Sequence, residues 1–353
     1  MGRPTDLIAR DLILSSCKPR VKVKIPVKEL APKALGLSPA GSLHLCNVIT
    51  PLSLFPEPMG GIEVILVFMC QVLIAGCGYV GIALGNLLIS EGHTVWGLRR
   101  RIHLLPPQIR PFMADLNQPE TLHSLPSPLE YLFYTAAAER TDDASYQTTY
   151  VEGVKSMIRA LDDQGIHPQR AFFTSSTAVY AQENGEWIDE NSPAESSHFT
   201  GSRLLQAEHL LLASPFPWTV VRLSGIYGPN RTRLIEQARQ GELSTTLASS
   251  YTNRIHQADC AGVLHHLMIL ESPQGLYIGS DHEPARLCDV VEWLAQRLKV
   301  HPRSETIPPS LPENRFRSNK RCRNFRLVDS GYRFRYPTYR EGYAALLEQG
   351  AID

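Results

Sequence analysis

The sequence lacks a charge imbalance: 35 Lys and Arg offset 35 Asp and Glu, for a formal net charge of zero. Nucleic-acid-binding chains usually carry a strongly basic face, so no such partner is expected. No apolar run reaches the roughly 18 residues of a membrane span, so no membrane partner is expected either. Seven cysteines are present, an odd count at wide spacings with no Cys-x-x-Cys. That excludes a paired disulfide framework and points to reduced thiols in a cytoplasmic compartment. There is no His-Glu-x-x-His. The adjacent His265 and His266 would point apart on a helix, so no metal site is expected. No Gly-x-Ser-x-Gly elbow frames Ser175, Ser176 or Ser224, which leaves a hydrolase little support.

What is present fits a soluble globular protein. Hydrophobic residues make up 43% and charged residues 20% of 353 positions, enough for one large domain or two ordinary ones. Residues 1–68 stand apart. Positions 1–50 carry eight basic residues against Asp6, Asp11 and Glu29, and a Pro- and Leu-rich stretch follows. No helical period or signal-peptide order appears there. The expectation is a disordered extension, with a native start at Met69 or a transit peptide as alternatives.

From Met69 the pattern changes. Cys70–Ala75 is a short apolar run ending in glycines, as a buried parallel strand would be. Val80, Leu84, Leu87 and Leu88 then share one helical face up to Gly92, and Thr94–Leu98 returns as a strand. Further strands are expected at Tyr131–Thr135, Gln169–Ser175 and Trp218–Leu223, with helices at Tyr146–Asp163 and Gly201–Leu212. This alternation indicates an α/β fold, a Rossmann-like doubly wound parallel sheet within residues 69–353. After Ser224 the rhythm is lost. A small substrate lobe is expected, built mainly from 176–198 and 225–340.

Gly76-Cys77-Gly78-Tyr79-Val80-Gly81 joins the first strand to the first helix. Its first Gly permits the tight turn, the second lets backbone approach a pyrophosphate, and the third packs helix on strand. The helix N-terminus, including Tyr79 and Val80, offers free N–H groups to the phosphates. NAD sites usually place an acidic residue about 20 residues after the glycines, to bond the ribose 2′-OH. Here that position reads Leu98-Arg99-Arg100-Arg101, and no acidic residue occurs between Gly92 and Asp115. Guanidinium groups suit a 2′-phosphate. NADP(H) is therefore expected over NAD(H), with Arg99 and Arg100 as its contacts.

Residues 69–353 resemble the extended short-chain dehydrogenase/reductases, the NAD-dependent epimerase/dehydratase group. The resemblance rests on the glycine turn, Asp115-Leu116, Ala136-Ala137, Thr174–Tyr180, Asp189–Pro193, Arg222–Pro229 and Arg254–Asp259, all in family order. It implies cofactor contacts at Asp115, Leu116, Ala136, Ala137 and Ser175, a catalytic serine at Ser176, and substrate contacts at Tyr180 and Arg254. Family members often pair through helices flanking the sheet, which implies a homodimer. The departure lies in the chemistry. The family's Tyr-x-x-x-Lys pair falls on Phe199 and Arg203, and Tyr150 stands where the family often has Asn. Phe carries no proton, whereas Arg retains the positive charge. The pattern resembles the atypical, YeeZ-like subgroup, with Asn319–Cys322 and Tyr332–Pro337 in agreement.

Several groups could do the acid/base work. His198, beside the missing tyrosine, titrates in a useful range, and the expected arrangement has Ser176 polarising a carbonyl while His198 supplies the proton. It could equally be a loop histidine. Glu139 and Arg140 either face the nicotinamide side or pair on the surface. The arginine-rich segment (Arg315, Arg317, Lys320, Arg321, Arg323, Arg326) is either a site for an anionic substrate or a solvated face. Two functions stay open: an oxidoreductase or epimerase acting on a carbonyl or a sugar-nucleotide-like small molecule, and a non-catalytic NADP(H) sensor.

Overall fold

The structure is a computed structural model and describes residues 69–196, 198–240, 250–300 and 319–350. The 1–68 extension, Arg315 and Arg317 lie outside the described residues. The chain enters through β1 (Gln71–Ala75), turns into α1 (Tyr79–Ser90), returns as β2 (Thr94–Arg99) and adds β3 (Arg110–Met113) at the edge. It then crosses back to β4 (Tyr131–Tyr134). A long helix follows as α2 (Asp143–Tyr146), a π-helical stretch (Gln147–Glu152) and α3 (Gly153–Asp163). Next come β5 (Arg170–Ser176), β6 (Glu186–Ile188), α4 (Phe199–Leu212), β7 (Trp218–Leu223) and β8 (Gly225–Tyr227). After them run α5 (Arg233–Arg239), β9 (Tyr251–Thr252), β10 (Arg254–His256), α6 (Gln257–Ile269) and β11 (Leu276–Gly279). The last described elements are β12 (Ala285–Arg286), α7 (Leu287–Leu298), β13 (Lys320–Cys322), α8 (Phe325–Asp329) and α9 (Tyr339–Glu348).

Seven strands form one parallel sheet in the order β11-β7-β5-β4-β1-β2-β3. This is the doubly wound order, reversing between β1 and β4. The apolar β1 is covered on both faces. Ile74 lies under Gly81 and Gly85 of α1, while Leu73 and Ala75 join a core with Val154, Met157 and Leu204. β11, which follows the loss of sequence rhythm, belongs to the large sheet, and α6 packs with α1. The intervening short pairs, β8 with β10 and β9 with β12, interrupt the alternation without ending it. A second core gathers Tyr227, Ile235, Val290, Leu294, Tyr339 and Leu346.

Local signals explain the boundaries. α1 ends where Gly92 takes φ +96° and His93 N–H reaches back to the Leu88 carbonyl at 3.0 Å, a Schellman-type stop. The expected helix at Tyr146 starts earlier, because the Asp142 side chain accepts from Ser145 N–H at 2.7 Å and caps it. Its π-helical stretch has a visible partner: the buried Tyr134 hydroxyl donates to the Thr149 carbonyl at 2.5 Å. A Cβ at Gly153 would stand 2.4 Å from that hydroxyl, so glycine makes room for it. Among the described residues no helix is long and apolar enough to cross a membrane, and no His/Cys/Asp/Glu group is arranged to hold a metal ion.

Candidate functional site

A cleft of about 730 Å³ opens at the carboxyl ends of β1 and β4, where the strand order reverses. Open α/β sheets bind ligands at such a crevice. The three glycines each meet a different demand. Gly76 has φ +75°, and a Cβ there would stand 2.3 Å from the Ala136 Cα, so the two strand ends touch. Gly76 and Cys77 N–H both donate to the Leu98 carbonyl at 3.0 Å, which fixes the turn. A Cβ on Gly81 would meet Thr135 Oγ1 at 2.7 Å, so this glycine sets the helix-to-strand distance. Gly78 has its nearest neighbour at 3.7 Å, leaving its backbone open to the cleft. It also gives α1 no side-chain cap, so the first N–H groups of the helix are left to a ligand. The cradle therefore fits a dinucleotide pyrophosphate.

Arg99, Arg100 and Arg101 line one rim of the cleft, at the end of β2. The Arg99 guanidinium donates to the Cys77 carbonyl at 3.3 Å. Arg100 pairs with Glu139 and lies 3.9 Å from Asp115, and Arg101 lies 3.9 Å from Glu139. Two carboxylates thus share the rim with the arginines. Glu139 does not pair with Arg140, which bonds Asp142 at 3.0 Å. Leu116, Ala136 and Ala137 also border the cleft.

The other end holds Thr174, Ser175, Ser176, Tyr146 and Tyr150. Ser175 and Ser176 part company here. Ser175 Oγ donates to the buried Glu208 at 2.6 Å, whereas Ser176 Oγ accepts from Ala178 N–H at 3.1 Å. His198 does not line the cleft. It is exposed and stacks on Phe199, with its Nδ1 capping α4 at 3.4 Å from Thr200 N. Arg203, also absent from the cleft lining, makes a two-pronged pair with Asp143 at 2.7 and 2.8 Å. The sequence-expected proton donor and lysine substitute are thus engaged in helix capping and helix-to-helix bridging. An aromatic wall stands nearby. Tyr146 packs edge-on to Phe199 at 5.4 Å, and Tyr150 meets Tyr146 at 5.1 Å and Phe173 at 6.5 Å. Burial pushes the Tyr150 phenol up to about 12 and raises Tyr146 as well, so both stay protonated at neutral pH.

Tyr180 and Arg254 also sit outside the cleft lining, in buried positions. The Tyr180 hydroxyl donates to the Asp189 carbonyl at 2.9 Å and accepts from Arg222 at 2.8 Å. Arg222 in turn pairs with Glu208 at 2.6 Å, so a buried polar chain runs from Ser175 to Asp189. Arg254 donates to Thr252 Oγ1 at 2.7 Å. The described members of the arginine-rich segment make contacts within the fold: Lys320 Nζ donates to the Tyr180 carbonyl at 2.9 Å, Arg321 and Arg323 lie over Trp187, and Arg326 donates to the Leu276 carbonyl. Among the cleft residues that sequence reasoning did not assign to the site are Tyr146, Ser224 and Arg231. Ser224 is buried, and its Oγ has no hydrogen-bond partner among the described residues. Its sequence signals were its place just after a buried strand and within the Arg222–Pro229 stretch.

Residues 72–272 match the model of the NAD dependent epimerase/dehydratase family. A solved structure from Methylobacillus flagellatus, assigned to the NAD-dependent epimerase/dehydratases, is 38% identical with a TM-score of 0.68, covering 80% of this chain and 98% of that one. Human epimerase family protein SDR39U1 (isoform 2), solved with NADPH, has the same fold at 19% identity and a TM-score of 0.65, covering 79% of this chain and 99% of that one. The sterol-4-alpha-carboxylate 3-dehydrogenase (decarboxylating) of Bos taurus is 24% identical over 215 residues. That match takes in 56% of this chain and 59% of the bovine protein. With the glycine cradle at the β1/β4 reversal and more than half of its length matched, the chain belongs to the NAD-dependent epimerase/dehydratase family.

Proposed function

We propose that the protein is an NADP(H)-dependent oxidoreductase or epimerase acting on a carbonyl or sugar-nucleotide-like small molecule, of the atypical YeeZ-like subgroup that lacks the catalytic tyrosine. The observation that carries this reading is the continuity of the cleft. It runs from the arginine rim, across the glycine cradle, to Ser176 beneath the Tyr146/Tyr150 wall. Bound NADP(H) would supply or accept a hydride at the nicotinamide. Arg99 and Arg100 hold the 2′-phosphate, and the Gly78 backbone with the uncapped start of α1 holds the pyrophosphate. Ser176 bonds the substrate oxygen. Since His198 caps α4 outside the cleft lining, the proton would come from a cleft phenol, Tyr146 or Tyr150, both protonated at neutral pH.

A second reading has its own support: Phe199 and Arg203 assemble no acid/base pair at the family position. On this reading the protein binds NADP(H) as a sensor. One experiment separates them. The purified full chain is given NADPH and a panel of aldehydes, ketones and nucleoside-diphosphate sugars, and oxidation of the cofactor is followed. Turnover with any member supports the enzyme. Tight NADPH binding with no turnover across the panel refutes it in favour of the sensor. A cytoplasmic homodimer is the form we propose for either.

A further inference from the structure

The loop after β8 folds back over the start of α1 and is clamped there. The Tyr79 hydroxyl donates to the Pro229 carbonyl at 2.8 Å, and Gln257 Nε2 donates to the Tyr79 carbonyl at 2.7 Å. A Cβ on Gly228, at φ +147°, would stand 2.9 Å from the Tyr79 hydroxyl, so glycine permits the approach. Arg231 N–H closes the turn onto the Gly228 carbonyl at 3.0 Å. These bonds fix Arg231. Its guanidinium rests 4.2 Å above the Tyr79 ring, and the residue lines the cleft beside Gly76, Gly78 and Tyr79. None of the ion pairs among the described residues includes it. A cation beside a helix N-terminus opposes the helix dipole, and here no carboxylate offsets it. Such a local conflict is expected where an anion is the missing partner.

We propose that Arg231 is a pyrophosphate clamp, supplied by the second half of the chain to close over the glycine turn. This rests on the dinucleotide reading of the cleft. Ring stacking holds the guanidinium fork in place while leaving its N–H groups free for phosphate oxygens. The clamp acts on the part common to NADPH, NADH and ADP-ribose, at a different place from the Arg99/Arg100 rim. The full-length protein and its Arg231→Ala and Arg231→Lys variants are titrated with these three ligands, and melting midpoints without ligand monitor folding. Arg231→Ala should weaken all three by roughly 10–100-fold, as expected for losing a charge-assisted phosphate contact. Arg231→Lys should recover part of the loss, keeping the charge without the fork. Unchanged affinities in Arg231→Ala would overturn the proposal. So would loss of NADPH binding alone, which would move Arg231 to the 2′-phosphate. If the unmodified protein binds none of the three, the dinucleotide reading falls and takes the clamp with it.

Discussion

Replacing Arg100 by Ala tests the cofactor preference directly. Arg100 is half exposed at the end of β2, paired with Glu139 and within 3.9 Å of Asp115. A guanidinium bonded to a 2′-phosphate gains about 1.5–3 kcal/mol from charge-assisted hydrogen bonds. To make them, Arg100 must leave its exposed carboxylate partners, at a cost of about 0.2–1 kcal/mol. The surplus is about 1–2 kcal/mol, so Arg100→Ala should weaken NADPH roughly 5–30-fold. NADH has no 2′-phosphate and should bind the variant about as it binds the original. Glu139→Gln should do the reverse. It frees Arg100 and removes a negative charge from the phosphate's neighbourhood, tightening NADPH by roughly 2–5-fold. Fluorescence titration of both cofactors at fixed ionic strength gives all the affinities. An Arg100→Ala protein with an unchanged NADPH-to-NADH affinity ratio would refute the assignment of this rim to the 2′-phosphate.

Three further outcomes follow from the geometry. Gly76→Ala places a Cβ 2.3 Å from Ala136 at φ +75°, and should abolish cofactor binding. Gly92→Ala, at φ +96° with nothing within 4 Å, should cost about 1–2 kcal/mol of stability in urea and leave binding intact; equal binding by the two variants would contradict the cradle. Glu208→Gln leaves the buried Arg222 without its carboxylate and should lower unfolding stability by about 3–5 kcal/mol; a loss below about 1 kcal/mol would mean that Arg222 finds another partner. Burial lifts Asp281 from 3.8 to about 8, so its contribution is present below the unfolded value and fades as pH rises through 8. Burial lowers His256 from 6.5 to about 4, so its contribution is present above 6.5 and fades as pH falls through 4. The two oppose each other between about 4 and 6.5. Of these two groups only Asp281 acts from about 6.5 to 8, so its share of the stability should fall across that window in denaturant titrations. Asp281→Asn should flatten the slope, and a variant with the same slope would clear Asp281 of responsibility.

Legibility in the sequence followed how local each cause was. The glycine turn was readable because each glycine answers a steric demand set within one βαβ unit. β1, β5 and β7 were readable because each carries a buried apolar run, Val72–Ala75, Ala171–Phe173 and Val220–Val221. β3 was not: Arg110-Pro111-Phe112-Met113 is an edge strand, mostly exposed, with no apolar run to betray it. β11 was not either, because some fifty residues carrying β8 to β10 separate it from β7, its neighbour in the sheet. The candidate site divides along the same line. Arg99 and Arg100 reached the rim because they continue β2. His198 and Arg203 occupy the family's catalytic stretch in sequence, yet their side chains are directed by Thr200 and by Asp143, the latter sixty residues away. The two serines make the point most sharply. Ser175 and Ser176 are neighbours in a strand, so their side chains must face opposite ways. One of them had to be taken by the layer beneath the sheet. The sequence hid which one, because Glu208 sits on a helix thirty-three residues later, and that carboxylate together with Arg222 claims Ser175. Both serines border the cleft, and Ser176 is the one whose hydroxyl no buried carboxylate claims, a geometric distinction that holds without any family resemblance.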